Sequence, residues 1–273
     1  MRVAVVGHVE WVEFARVDHV PVPGEIVHAS ETWQEPAGGG AVAAVQLARL
    51  AGECLFLTAL GDDELGHRAA KGLAELGVRV EAAWRTEPQR RAFVHVDAAA
   101  ERTITVIGER MGPRGDETLP WNELSQVDAV YFTAGDVDAL RAARSARQLV
   151  ATTRANETLV PAHVQLDVLV RSARDPGEQY VELDPPPHYV AQTDGGGGGS
   201  VISVDGTTTH WTAAPLLGPA VDAYGAGDSF AAGLTYGLAT GHSPEEAVEQ
   251  GARCGAAAMT IRGAYGTRQA PSP

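Results

Sequence analysis

The chain is short of basic side chains, of cysteine and of long apolar runs. Against 35 Asp and Glu it sets only 21 Lys and Arg, a formal charge of -14. Such a surface repels a phosphate backbone and an anionic membrane, so neither nucleic acid nor membrane is expected as a partner. A small phosphate-bearing ligand is not excluded, because Mg²⁺ screens its charge and a few backbone amides cradle it locally. The two cysteines, Cys54 and Cys254, stand far apart in apolar settings, as buried thiols do, and give no disulfide framework. The opening Met1 to Gly7 holds at most five consecutive apolar residues, too few for a signal-peptide core. No stretch approaches the roughly 20 that a spanning helix needs. A cytoplasmic protein is the expectation.

With 273 residues and 44% hydrophobic content, the chain can bury one full core, and a single domain over 1–273 is expected. Short β-rich runs (Val3 to Val6, Leu55 to Leu60, Ala129 to Thr133) alternate with Ala/Leu-rich ones (Ala41 to Leu50, Leu65 to Leu76, Val137 to Val150). That rhythm predicts βαβ units around a mostly parallel sheet, an α/β fold. Glu25 to Trp33, Arg91 to Asp97 and Arg102 to Ile107 instead alternate apolar and polar residues, as half-exposed strands do. They suit a small β-flap from about 9–35 and 90–108, or edge strands of the central sheet. Thr152 to Gln192 has weak periodicity, broken by Asp184-Pro185-Pro186-Pro187. Gly195 to Gly199 reads as a loop joining strands, Asp205-Gly206 as a hairpin turn, and Ser243 with Glu246 as a capping box. Two Ala-rich helices, from Ala226 and from Pro244, end the pattern.

The sharpest local feature is Gly225-Ala226-Gly227-Asp228, a tight turn running into the helix Ser229-Phe230-Ala231-Ala232. Free amides at such a helix start, with the positive end of its dipole, attract negative charge. A carboxylate beside them can take a proton from a hydroxyl as a phosphoryl group arrives. Read locally, helix capping by Asp228 and simple chain reversal by the glycines explain the same residues.

The segment from Asp222 to Gly233 resembles the carboxy-terminal signature of the ribokinase, or PfkB, family of carbohydrate kinases. Pro23-Gly24-Glu25, Pro36-Ala37-Gly38-Gly39-Gly40, Arg49-Leu50 and Leu60-Gly61-Asp62-Asp63-Glu64-Leu65-Gly66 continue the likeness in the family's order. The resemblance implies a ribokinase-like three-layer α/β/α sandwich with a β-flap lid, and transfer of the γ-phosphoryl of MgATP to a hydroxymethyl group of a small sugar-like or nucleoside-like substrate. It makes Asp228 the catalytic base and Gly225, Ala226 and Gly227 the anion hole. It also places the substrate on Gly38, Gly39 and Gly40. Thr193, Gly195 and Gly198, with Gly225, Gly227 and Gly263, would line the nucleotide, and a homodimer through the flap would follow.

Several positions depart from the family pattern. Glu10, Val12 and Val42 stand where sugar-binding Asn and Asp are usual, and Ala223 and Tyr224 stand where Thr or Ser is usual. Polar contacts to sugar hydroxyls would be lost. Glu10 and Val42 are therefore candidate positions of altered acceptor contact. The family's Asn-x-x-Glu, tied to Mg²⁺, has Ser172-Ala173-Arg174-Asp175 as its counterpart, which leaves Asp175 as the candidate metal carboxylate. His8 lies where ligands bind in open α/β sheets, though a structural histidine explains it as well. Trp11, Trp33 and Tyr224 are candidates to stack on a ring, and so keep open a vitamin-like heteroaromatic alcohol as acceptor. A non-catalytic binding protein of the same fold is the reading from outside enzymes.

Overall fold

The computed structural model describes residues 1–266; the end of the expected 1–273 domain lies outside the described residues. Its backbone is organised by the first strand, β1 (Val3–Val6), whose four side chains are all buried. A strand buried on both faces belongs in the middle of a sheet. β1 accordingly pairs in parallel with β4 (Cys54–Gly61) on one side and β8 (Ala129–Phe132) on the other. The sheet extends past β4 to β5 (Val78–Arg85). Past β8 it runs through β9 (Gln148–Thr152), β10 (Val168–Ser172) and β11 (Tyr189–Thr193), all parallel. The hairpin of β12 (Gly199–Ser203) and β13 (Thr208–Trp211) closes that edge antiparallel, giving nine strands.

Alternation along β1 divides the interior. Val3 and Val5 join the core under α1 (Gly39–Ala51), α2 (Glu64–Glu75), α5 (Ala226–Ala239) and α6 (Pro244–Ala258). Ala4 and Val6 join the opposite core under α3 (Val137–Ala143) and α4 (Asn156–Ala162). The result is a three-layer α/β/α sandwich. No helix among the described residues is long and apolar enough to cross a membrane.

A second sheet, in the order β3-β2-β6-β7, is built from β2 (Glu10–Arg16), β3 (Glu31–Ala37), β6 (Arg91–Val96) and β7 (Arg102–Ile107). Two expectations are corrected here. The strand expected over Glu25 to Trp33 begins only at Glu31, and its partner β2 carries no clean alternation because it is covered on both sides. Phe14 of β2 stacks on Trp33 at 4.8 Å. The helix expected over Val137 to Val150 stops at Ala143. Arg144 there donates to the Ala146 and Gln165 carbonyls and to Asp167, turning the chain so that Leu149 to Thr152 enter the sheet.

Candidate active site

Loops from four strands meet at one edge of the main sheet: Gly7-His8 after β1, Thr153-Arg154 after β9, Ser172 to Glu178 from β10, and Thr193 to Gly198 from β11. Ligands of open α/β sheets bind beyond the carboxyl ends of the strands. The starts of α1 and α5 close on the same edge.

At the start of α5, Gly225 is in the left-handed region, φ +73°, and provides the N-cap without any side-chain hydrogen bond. Asp228 lies in the first turn yet does not cap the helix, and among the described residues its carboxylate accepts no hydrogen bond. The capping explanation is thereby removed. Burial, and then the charge of Glu178, push its carboxyl up to about 6. An ideal Cβ at Gly227 would touch nothing, so this part of the turn is open in front of the helix amides.

The two glycine turns are in contact. A Cβ on Gly39 would stand 2.8 Å from Asp228 Oδ1, and one on Gly40 would stand 2.7 Å from the His8 carbonyl. Only glycine lets the start of α1 come this close to the carboxylate and to the loop after β1. Gly38 N donates to the Tyr224 hydroxyl at 3.2 Å, joining this turn to the residue that precedes Gly225. Gly38, Gly39 and Gly40 thus lie with Asp228, Gly225, Ala226 and Gly227 in one place.

Other expected residues are placed differently. Val42 is 2% exposed and packs under Gly225, whose Cβ would meet it at 3.0 Å; it supports the anion-hole turn from inside the core and cannot touch an acceptor. Gly263 is buried, its amide donates to Asp222 at 3.0 Å, and a Cβ there would strike Glu35. It therefore belongs to the interior and not to a nucleotide surface. Trp11, Trp33 and Tyr224 are also buried. Tyr224 meets Phe14 edge-on at 5.0 Å, and Arg68 covers Trp11 at 4.4 Å, so none offers a face to a heteroaromatic acceptor. In the Thr193 loop, Gly198 is held at φ +87° with Trp211 O 2.2 Å from the position of a Cβ. Gly195, at φ +52°, lies against Arg174, which pairs with Asp194 at 2.7 Å. The loop is a fixed turn, with Thr193 at the end of β11.

Charged residues complete the site. Glu10 is buried and accepts from Arg90 Nε at 2.7 Å; its Oε1 is 3.9 Å from His8 Nε2. Burial, and then Arg110, Arg90 and Arg154, hold the His8 imidazole well below its ordinary value, so it is neutral. Its Nδ1 is enclosed without a partner. Arg154 pairs with Asp175 and, at 3.1 Å, with Glu178, whose other oxygen accepts from Ser172 N at 2.6 Å. Of the two carboxylates that Arg154 holds, the one whose charge bears on Asp228 is Glu178, and Glu10 adds a smaller effect. The distance of Glu178 from Ser172 breaks the Asn-x-x-Glu spacing, which is why the sequence pattern passes it over. Arg90, Arg110 and Arg154 carry no motif either. Among the described residues no group of three His, Cys, Asp or Glu is arranged to hold a metal ion.

The pfkB family carbohydrate kinase model matches residues 1–194 and 189–271. An ATP-dependent ribose-1-phosphate kinase of Halopiger xanaduensis is 30% identical over 295 aligned residues, covering 100% of this chain and 95% of the relative. Among solved structures, a ribokinase from Thermotoga maritima superposes with TM-score 0.77 at 23% identity, covering 97% of this chain and 94% of its own. An Arabidopsis thaliana ribokinase complexed with ribose and ATP gives 0.72 at 18%, covering 96% and 93%. A Methanocaldococcus jannaschii nucleoside kinase gives 0.72 at 16%, covering 97% and 93%. Family model and end-to-end relative agree with the fold and with the meeting of the two glycine turns: the protein belongs to the pfkB family of carbohydrate kinases.

Proposed function

We propose that the protein transfers the γ-phosphoryl group of ATP to a hydroxymethyl group of a small sugar-like or nucleoside-like acceptor, with Asp228 as the base. The observation that carries this reading is the Asp228 carboxylate. It has no hydrogen bond of its own, stands beside the open turn Gly225 to Gly227, and abuts Gly39. An acceptor hydroxyl lying over Gly38 to Gly40 meets the carboxylate directly. As its oxygen bonds to the γ-phosphorus, its proton passes to Asp228 and the bond to the β–γ bridging oxygen breaks, releasing ADP. The amides of the α5 start face the charge that builds on the transferred group, and being fixed in advance they stabilise it without reorganising. A carboxyl raised to about 6 is still ionised at neutral pH and is a stronger base than an ordinary aspartate.

The Thr193 to Gly198 turn lies at the same sheet edge and is read as the nucleotide side. Mg²⁺, when bound, neutralises phosphate charge. The carboxylates that would face it are Glu178, whose charge bears on Asp228, and Asp175, both engaged by Arg154. Such a pair suits an ion that arrives on the nucleotide and keeps its waters better than an all-protein cage. The names of the relatives support the substrates: ribose and ATP, a nucleoside, and a ribose phosphate. The test is ADP release from MgATP across sugars, sugar phosphates and nucleosides, with Asp228→Asn as control. Turnover on at least one of these acceptors, sharply reduced in the variant, is expected. Undiminished turnover in the variant refutes the base assignment.

A further inference from the structure

Three arginines from three separate segments bear on His8, the neighbour of the base. Arg90 leads into β6 and Arg110 follows β7, both on the second sheet, while Arg154 follows β9 of the main sheet. All three charges bear on His8, and those of Arg90 and Arg154 bear on Arg110. Arg110 Nη1 donates to the Arg154 carbonyl at 2.9 Å. His8 in turn lies next to the catalytic carboxylate: a Cβ on Gly39 would be 3.6 Å from His8 Cε1 and 2.8 Å from Asp228 Oδ1.

Gathering like charges costs energy, and a chain with 35 acidic residues has carboxylates enough to neutralise them. It does so only in part. Glu10 accepts from Arg90 Nε, and among the described residues the terminal NH₂ groups of Arg90 have no partner. Arg154 is paired with Asp175 and Glu178. Arg110 meets no carboxylate among the described residues, its one bond being to a carbonyl. The imidazole on which all three charges bear is neutral and 7% exposed, with Nδ1 unpartnered, so as a hydrogen-bond donor it would add no charge. Guanidinium forks of this kind match the oxygens of a phosphate monoester in bidentate fashion.

We propose that Arg90, Arg110 and Arg154 form the site for a phosphate group already present on the acceptor, so that the protein acts on a sugar phosphate in preference to a free sugar or nucleoside. The inference rests on Asp228 marking the reacting end, as proposed above. The phosphates of ATP are assigned to the α5 amides and the Thr193 loop. Two of the three arginines belong instead to the second sheet, on the acceptor's side of the base. Glu10, at a position where the family resemblance implies a hydroxyl-binding residue, accepts from Arg90 itself, so the cationic set adjoins an altered acceptor position.

The experiment measures ADP release from MgATP with ribose, ribose 1-phosphate, adenosine and a sugar carboxylate, in the wild type, Arg110→Gln and Arg110→Lys. Calorimetric titration of ribose 1-phosphate without nucleotide accompanies it. The wild type is expected to favour ribose 1-phosphate over ribose by about 100-fold in kcat/KM. Arg110→Gln is expected to raise the KM for ribose 1-phosphate by about 10- to 100-fold, as loss of a charge-assisted contact does, with the KM for ATP unmoved. Arg110→Lys should restore part of that loss. Inorganic phosphate should compete with the acceptor in the wild type and weakly in Arg110→Gln. Equal use of ribose and ribose 1-phosphate, preference for the sugar carboxylate, or an Arg110→Gln KM like that of the wild type overturns the phosphate site. Asp228-dependent turnover with no phosphate preference overturns this site and leaves the kinase reading standing. Arg110-dependent binding of ribose 1-phosphate with no ADP release on any acceptor upholds the site and removes that reading.

Discussion

Replacing Asp228 by Asn should sharply reduce turnover and at the same time stabilise the fold. The carboxyl is raised from its ordinary 3.8 to about 6, by burial first and then by Glu178. The folded state therefore binds a proton over a pH range in which the unfolded chain has released it. Stability linked to this group is fully present below about pH 4 and is lost as pH rises to 6. A change of that size corresponds to about 3 kcal/mol. Because the residue keeps partial contact with solvent, about 1 to 3 kcal/mol is the working range. Asn has a similar shape and no charge, so the variant should melt about 2 to 8 °C higher than the wild type at pH 7.5. The gap should close toward pH 4, where both side chains are neutral. Paired thermal melts across pH 4 to 8 cancel every other titrating group. Turnover should fall by a factor of about 10² to 10⁴, the span attributed to a general base. A stability gap independent of pH, or a variant that melts lower at neutral pH, would refute the picture of an unsatisfied, partly buried carboxylate.

The wild-type enzyme should lose kcat/KM as pH falls through about 6, since Asp228 must be ionised to accept the proton; a profile flat down to pH 5 would contradict this. Gly39→Ala puts a methyl 2.8 Å from Asp228 Oδ1 and should cut kcat at least tenfold while moving the melting temperature little, as kinetics and melts together would show. Gly198→Ala meets both a left-handed backbone and the Trp211 carbonyl. It should cost about 1 to 3 kcal/mol in denaturant titration and weaken ATP binding. Tyr224→Phe removes the acceptor for Gly38 N in the interior, with a loss of about 1 to 3 kcal/mol and a higher KM for the acceptor substrate.

The main sheet was legible because burial on both faces writes itself as unbroken Val, Ala and Leu runs, as in β1 and β4. The second sheet was legible in β6, where one face is wet, and in β7, which was expected half-exposed and is exposed along its whole length. β2 was hidden because Phe14 and its neighbours are covered on both sides. The glycine turns announced themselves: Gly38 and Gly225 are left-handed, and a Cβ on Gly39 or Gly40 would press on Asp228 Oδ1 or on the His8 backbone. Val42 and Gly263 were misplaced for the opposite reason: a motif position says where a residue falls in the order of the chain, not which way its side chain faces. Glu178, Arg90, Arg110 and Arg154 had no local signature. Their grouping depends on which strand ends become neighbours, a property of the sheet order and not of any segment.

The contact of Gly39 with Asp228, and the bond from Gly38 to Tyr224, tie the reacting end of the site to the packing beneath it. A change at Gly39 disturbs the chemistry and one at Tyr224 the packing as well, and so both are barred to a lineage in search of new substrates. Arg110, by contrast, lies on a loop that the core does not enclose. New acceptors can be acquired by exchanging such loop residues one at a time, with the machinery of transfer passed on unaltered.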